Sequence, residues 1–256
     1  MYTAWLLAQA GHTVVAGARS FTKEKKLSTM HQVQLDVSDD ESVAAFVCRA
    51  QEITGTVDAV IHCAAVMCMG PCEETTPEEY MRVMNTNFLG MVRVNQAVLP
   101  LMREKRGGRI IMFSSINGLM GIPFQSAYVA SKHAVEGYAE CLHQEVIKYG
   151  IQVCLIEPGD HRGGAAAYRK HAQAMDEQSV YSGAFTRTAG KIRKDEADGA
   201  DPVKLGQKVV RLLEKKRMPF RKRIAKTLQH GAVLMHKILP GRTLNNLLHR
   251  YYVGGK

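Results

Sequence analysis

The chain has no run of about eighteen uninterrupted apolar residues, so nothing in it reads as a membrane-spanning helix. Its opening, Met1-Tyr2-Thr3-Ala4-Trp5-Leu6-Leu7, lacks a basic stretch and a small-residue cleavage site, so no secretory leader is expected. The six cysteines are Cys48, Cys63, Cys68, Cys72, Cys141 and Cys154, and they never adopt a paired Cys-x-x-Cys spacing. No metal site is therefore expected, and reduced thiols in a cytoplasmic protein are the plain reading. Internal repeats and low-complexity tracts are also missing. The 256 residues, 46% of them apolar, then read as one α/β domain spanning 1–256.

Acidic residues are scarce in one region only. From Val203 to Lys256 there are fourteen lysines and arginines against the single acid Glu214, so this stretch carries more positive charge than the +10 of the whole chain. No nucleic-acid-binding pattern accompanies it, and no nucleic-acid partner is expected. A solvated basic face and peripheral contact with an anionic membrane surface both remain open.

Strand-like and helix-like stretches alternate. His12–Gly17, His31–Leu35, Val57–His62, Arg109–Phe113 and Ile151–Ile156 read as strands. Asp39–Ile53, Thr76–Arg103 and Gln125–Tyr149 read as helices, and Asp201-Pro202 opens another that runs to about Lys216. This alternation implies parallel strands with crossover helices in three layers, a doubly wound sheet. Residues 160–202 are polar, without sustained periodicity, and read as a lid over a substrate. Residues 218–256 read as a basic amphipathic extension, with a helix pair between Phe220 and Tyr252.

The chemistry concentrates around Tyr128 and Lys132, in Ser126-Ala127-Tyr128-Val129-Ala130-Ser131-Lys132. Four residues apart on a helix, they share one face. A phenol has a reference pKa of about 10, too high for general acid/base work at neutral pH. A nearby ammonium favours the phenolate, and a drop of about three units takes roughly 4 kcal/mol. Upstream, the apolar run Ile110-Ile111-Met112-Phe113 ends in Ser114-Ser115, a strand delivering a hydroxyl at its C-terminal edge. Further back lies Asn87, in Asn85-Thr86-Asn87-Phe88-Leu89-Gly90.

In this order and spacing, Asn87, Ser115, Tyr128 and Lys132 resemble the catalytic tetrad of the short-chain dehydrogenase/reductases, and the likeness covers nearly the whole chain. It implies a Rossmann-like fold and interconversion of a ketone and a secondary alcohol. Tyr128 would exchange the proton, Lys132 would lower its pKa and bond the nicotinamide ribose, Ser115 would bond the carbonyl, and Asn87 would hold a relay water. A homodimer is also implied. Family members open with a strand and a glycine-rich phosphate turn. Here Ala4–Gly11 match the second half of the helix that follows, so the first strand and its turn are missing from the sequence, which reads as incomplete.

The resemblance places the cofactor on Arg19, Asp36, Cys63, Ala64, Tyr128, Lys132, Pro158 and Gly159. Ala18 stands where NAD enzymes carry an acid, and Arg19 follows, a pattern that favours NADP(H). Asp36 matches the adenine-side aspartate. His62-Cys63-Ala64-Ala65 replaces the usual Asn-Asn-Ala-Gly, and His62 reads as structural. Gly163 stands where a threonine often holds the carboxamide. The long C-terminal extension resembles the steroid and retinol dehydrogenase branch, and Gly118–Phe124 adds an apolar stretch near the pocket. Both favour a bulky hydrophobic, steroid-, retinoid- or lipid-like substrate. Two other readings stay open. One is a non-catalytic nucleotide-binding or interaction protein, and the other is a 3-oxoacyl reductase.

Overall fold

An unbroken apolar run has to be covered on both sides, and two strands here contain one, Ile110–Phe113 and Val153–Ile156. Gly108–Phe113 and Ile151–Pro158 pair in parallel. Ile110, Met112, Val153 and Leu155 point to one side of the sheet, and Ile111, Cys154 and Ile156 to the other. Helices cover both faces, which makes the sheet doubly wound.

The computed structural model describes residues 2–21, 27–163 and 169–254, so residues 164–168 of the expected lid lie outside the described residues. In chain order the first half contains α1 (Tyr2–Gln9), β1 (Val14–Ala18), β2 (Met30–Gln34), α2 (Asp40–Thr54), β3 (Ala59–His62), β4 (Met67–Met69), α3 (Pro77–Met84), α4 (Gly90–Glu104) and β5 (Gly108–Phe113). The second half contains α5 (Ser126–Val146), β6 (Ile151–Pro158), β7 (Arg169–His171), α6 (Ser182–Ala197), α7 (Pro202–Leu213), β8 (Arg221–Ile224), α8 (Thr227–Ile238) and α9 (Gly241–Tyr252). Helices α2, α4 and α5 pack their Val43, Val94, Val98, Val135 and Ala139 against one face. Val209 and Leu212 of α7 cover the other.

The main sheet has the order β3-β5-β6-β8, all parallel. Strands β1 and β2 form a separate parallel pair, as do β4 and β7. Among the described residues β1 bonds only to β2, and β3 only to β5. Helix α1 packs on α7 and β1.

Local chemistry explains the helix ends. Asp39 caps α2 by accepting from Ser42 N, and Gly55 closes it at φ 70°. Thr76 and Glu79 form a reciprocal capping box at α3, with Pro77 at its first turn. The single helix expected over Thr76–Arg103 is interrupted by a π-helical segment at Asn85–Leu89. Asp201 caps α7 through Val203 N, as its Asp-Pro start predicts.

Two expectations need correction. The aperiodic stretch 160–202 contains a sixteen-residue helix, α6, and the short strand β7. Phe185, Thr188, Ala189 and Ile192 supply its buried side among many charges, too sparsely to show as a clear stripe. The region after residue 218 begins with β8, not with a helix. Its sequence Arg221-Lys222-Arg223-Ile224 extends the sheet because carboxylates meet the cations. Arg223 Nε donates to Glu157 Oε2 at 2.9 Å, and Arg221 Nη2 reaches Glu136 at 3.0 Å and Glu140 at 2.6 Å.

Candidate active site

Parallel strands deliver their C-terminal ends to one edge, where ligands of such folds bind. Here β3 leads into Cys63 and Ala64, β5 into Ser114 and Ser115, and β6 into Gly159 and Asp160. Ser115 is fully extended and caps a short 3-10 turn, its Oγ accepting from Asn117 N at 3.1 Å. That bond uses a lone pair and leaves the hydroxyl hydrogen to donate elsewhere. Tyr128 and Lys132 sit one turn apart on α5.

Lys132 is 2% exposed. Its Nζ donates to the Phe113 carbonyl at 2.7 Å and lies 5.6 Å from the centroid of the Tyr128 ring. Burial brings its pKa down to about 8. The expected depression of the Tyr128 pKa by Lys132 is not what this arrangement produces. Burial pushes the phenol up to about 12, Glu196 and Asp160 add to the rise, and the Ser115 hydroxyl opposes it. In this state Tyr128 holds its proton and is set as an acid.

Asn87 lies inside the π segment and is fully buried. Its Oδ1 accepts from Val66 N at 2.7 Å, while Nδ2 donates to Val66 O at 2.9 Å and to Ser131 Oγ at 3.0 Å. These bonds tie the π segment to Val66 and to Ser131 of α5. Single-turn π insertions recur where a helix must aim one side chain.

The cofactor-side residues also lie at the strand ends. Arg19 is exposed just past β1. Asp36 accepts from Ser38 N at 2.9 Å and from Ser38 Oγ at 2.5 Å, and these bonds hold its carboxyl below the usual range, helped by Arg19. Cys63 and Ala64 are exposed, and Pro158 and Gly159 are half-buried. His62 is buried with Nε2 2.8 Å from Asn95 Oδ1, as a structural histidine should be. Among the described residues no cluster of three or more metal-ligating side chains exists.

Ser115 and Tyr128 line one small cavity of about 100 Å³. Its other walls include Met67, Ile122, Ile192, three carboxylates (Asp160, Asp195 and Glu196) and Tyr252 of α9. The sequence reading missed these acids and Tyr252. Nothing in a polar stretch or a distant tail signals that it folds onto a tyrosine far upstream. Nearby, Phe124 is held at φ 62°, a conformation that disfavours bulky residues. Its carbonyl accepts from Gly70 N at 3.0 Å, and its ring stands edge-on to Phe185 at 5.6 Å.

The sequence profile described as short chain dehydrogenase matches residues 1–174. The chain belongs to the short-chain dehydrogenase family. As such it is an oxidoreductase acting on CH–OH groups, which sets aside the non-catalytic reading. It is 36% identical to a 3-ketodihydrosphingosine reductase of Bacteroides thetaiotaomicron over 250 residues, 98% of this chain and 92% of that protein. It is 38% identical to human retinol dehydrogenase 8 over 157 residues, 58% of this chain and 50% of that one. Among solved structures, a short-chain dehydrogenase from Streptomyces avermitilis superposes with a TM-score of 0.77 at 23% identity, covering 98% of this chain and 91% of that one. ElxO with NADP bound superposes at 0.69 and 21% identity, covering 88% and 90%. These two likenesses show the short-chain dehydrogenase fold.

Proposed function

We propose that this short-chain dehydrogenase is an NADP(H)-dependent reductase that converts a long-chain, lipid-like ketone to its secondary alcohol. The observation that carries this reading is the convergence of Ser115 and a proton-bearing Tyr128 on one cavity. The similarity to a 3-ketodihydrosphingosine reductase supports the substrate class. A wider groove of about 520 Å³ adds to it. That groove lies between Gly121–Pro123, the start of α5 and Leu248 of α9, and shares Ile122 with the catalytic cavity. A chain leaving the cavity past Ile122 would have an apolar path.

In this reading the Ser115 hydroxyl donates to the ketone oxygen and polarises it, and Tyr128 gives its proton to that oxygen. The Lys132 ammonium then steadies the phenolate left behind. Asn87 acts through position, tying the π segment to Val66 and Ser131. When bound, the dinucleotide supplies the hydride. Lys132 and Tyr128 would meet its ribose end, Cys63, Ala64, Pro158 and Gly159 its backbone contacts, Asp36 its adenine side, and Arg19 the 2′-phosphate. The residues fit such a group. The exposed Cys63 and Ala64 have small side chains beside the strand ends, and Arg19 sits within electrostatic reach of Asp36.

The basic C-terminal region is read as a peripheral membrane contact. Leu228, Leu234 and Ile238 of α8 are exposed on a helix that also carries His230, His236 and Lys237. No described helix is long and apolar enough to cross a bilayer. A homodimer is part of the same family-based reading.

The test is oxidation of NADPH and of NADH by the purified chain with long-chain 3-ketones, steroids, retinaldehyde and a 3-oxoacyl thioester. The expected result is turnover of the long-chain ketone with NADPH preferred at least tenfold. Turnover confined to the thioester would move the assignment to a 3-oxoacyl reductase.

A further inference from the structure

Glu136 is buried on α5 and has no part in the mechanism above. Tyr128, Lys132 and Glu136 follow one another at four-residue spacing, so they form a single stripe along the helix. The loop after β5 is pressed onto this stripe. A Cβ at Gly118 would stand 2.5 Å from Ser114 Oγ, 3.1 Å from the Lys132 carbonyl oxygen and 3.2 Å from Glu136 Cγ. Glycine there lets the segment that carries Ser114 and Ser115 pack closely on Lys132 and Glu136.

The carboxylate of Glu136 is gripped on its far side. Arg221 of β8 donates to Glu136 Oε2 from Nη2 at 3.0 Å and from Nε at 3.3 Å, and its Nη2 also reaches Glu140 at 2.6 Å. Glu157 of β6 lies against the same arginine, its Oε1 3.4 Å from Arg221 Nε, and is itself paired with Arg223. The other oxygen of Glu136, Oε1, is buried without a hydrogen-bond donor among the described residues. Burial pushes the Glu136 pKa above the usual carboxylate range and Glu157 adds to the rise, while Ser114 and Arg221 oppose it. A carboxylate that accepts from a guanidinium in this way keeps its charge at neutral pH.

Lys132 needs such a charge. A buried ammonium is costly, and its hydrogen bond goes to the neutral carbonyl of Phe113. The groups that favour its charged form are Cys63, at the end of β3, and Glu136. An ordinary thiol titrates at about 8.5, and desolvation raises this one, so Cys63 is uncharged near pH 7. Tyr128 holds its proton and is uncharged as well. Glu136 is left as the charge that acts on Lys132. We propose that Glu136 is a positioning residue of the reductase, a buried carboxylate one turn along α5 that keeps Lys132 charged, so that Lys132 can steady the phenolate Tyr128 leaves. This inference rests on the reductase reading above and adds a residue that acts on its site through Lys132.

The test is the pH profile of kcat/KM for ketone reduction in wild type, Glu136→Gln, Glu136→Asp and Glu140→Gln. Activity should fall on the alkaline side as Lys132 loses its proton. Without the Glu136 charge the ammonium gives up that proton more readily, so the alkaline limb of Glu136→Gln is expected about one pH unit below that of wild type. Glu136→Asp restores the charge and should bring the limb back. Glu140→Gln removes another partner of Arg221 from a more exposed position and should leave the limb within about 0.2 unit of wild type. A Glu136→Gln enzyme that is slower or less stable with its limb unmoved overturns the proposal. So does an equal shift in Glu140→Gln, which would assign the effect to Arg221. A second readout needs no turnover. The ¹³Cε resonance of Lys132, identified by its loss in Lys132→Arg, should titrate at about pH 8 in wild type and about one unit lower in Glu136→Gln. A Lys132 already neutral at pH 7 in wild type overturns the proposal even where Glu136→Gln does not fold. If the resonance shifts as expected but no ketone is reduced, the reductase reading fails while the action of Glu136 on Lys132 stands.

Discussion

Lys132 Nζ stands 5.6 Å from the centroid of the Tyr128 ring while its own hydrogen bond goes to the Phe113 carbonyl. The lysine is a buried cation beside the ring, held by backbone, and the phenol keeps its proton. Tyr128→Phe removes that proton and little else. Ketone reduction is expected to fall by at least about 10³-fold, near the upper part of the range for general acid catalysis, with the melting temperature almost unchanged. Steady-state NADPH oxidation and thermal unfolding measure both. Turnover within tenfold of wild type would sink the assignment.

Asn87 should matter to the fold as much as to the reaction. Asn87→Ala strips partners from the Val66 N–H and C=O in a fully buried place. The expected cost is about 2–4 kcal/mol, read from the urea unfolding midpoint. A change below about 0.5 kcal/mol would show that water takes over both bonds.

His62 should give the protein an acid weakness. Burial lowers its pKa from 6.5 to about 4, and the bond to Asn95 only partly opposes this. The folded state therefore resists a proton that the unfolded state accepts. The stabilising contribution is whole above pH 6.5, shrinks as pH falls towards 4, and is gone below that. The total is about 3 kcal/mol. His62→Gln should flatten the loss of stability between pH 6.5 and 4 relative to wild type. Parallel curves for the two proteins would contradict it.

Glu157 is 1% exposed and shares its charge with Arg223 and Arg221. Arg223→Ala leaves a buried carboxylate short of its closest partner, and about 3–5 kcal/mol of stability should be lost. Adding Glu157→Gln should restore part of it, because the stranded charge is then gone. A double variant no more stable than the single one would mean that β8 is held by packing alone.

The interior strands were legible because their residues advertise burial. Ile110-Ile111-Met112-Phe113 can only be a core strand, and β6 is similar. Strand β8 was not legible, since three cations in a row look like a solvated loop until Glu136, Glu140 and Glu157 arrive from elsewhere in the chain. Helix α6 stayed hidden for a related reason, its apolar side being thin. Tyr128, Lys132, Ser115 and Asn87 could be picked out by type and spacing. Their electrostatics could not, because the direction of the Tyr128 shift depends on desolvation and on acids from α6 and from the end of β6.

The closing of the catalytic cavity by Tyr252 bears on how the protein is made. Its walls come from positions as far apart as 67, 115, 160, 195 and 252. During synthesis the sheet can begin to condense as soon as β5 and β6 have emerged. The pocket cannot be completed until α9 has left the ribosome and docked. A nascent chain would thus carry Tyr128 for many residues with no enclosed cavity around it, until α9 arrives to close it.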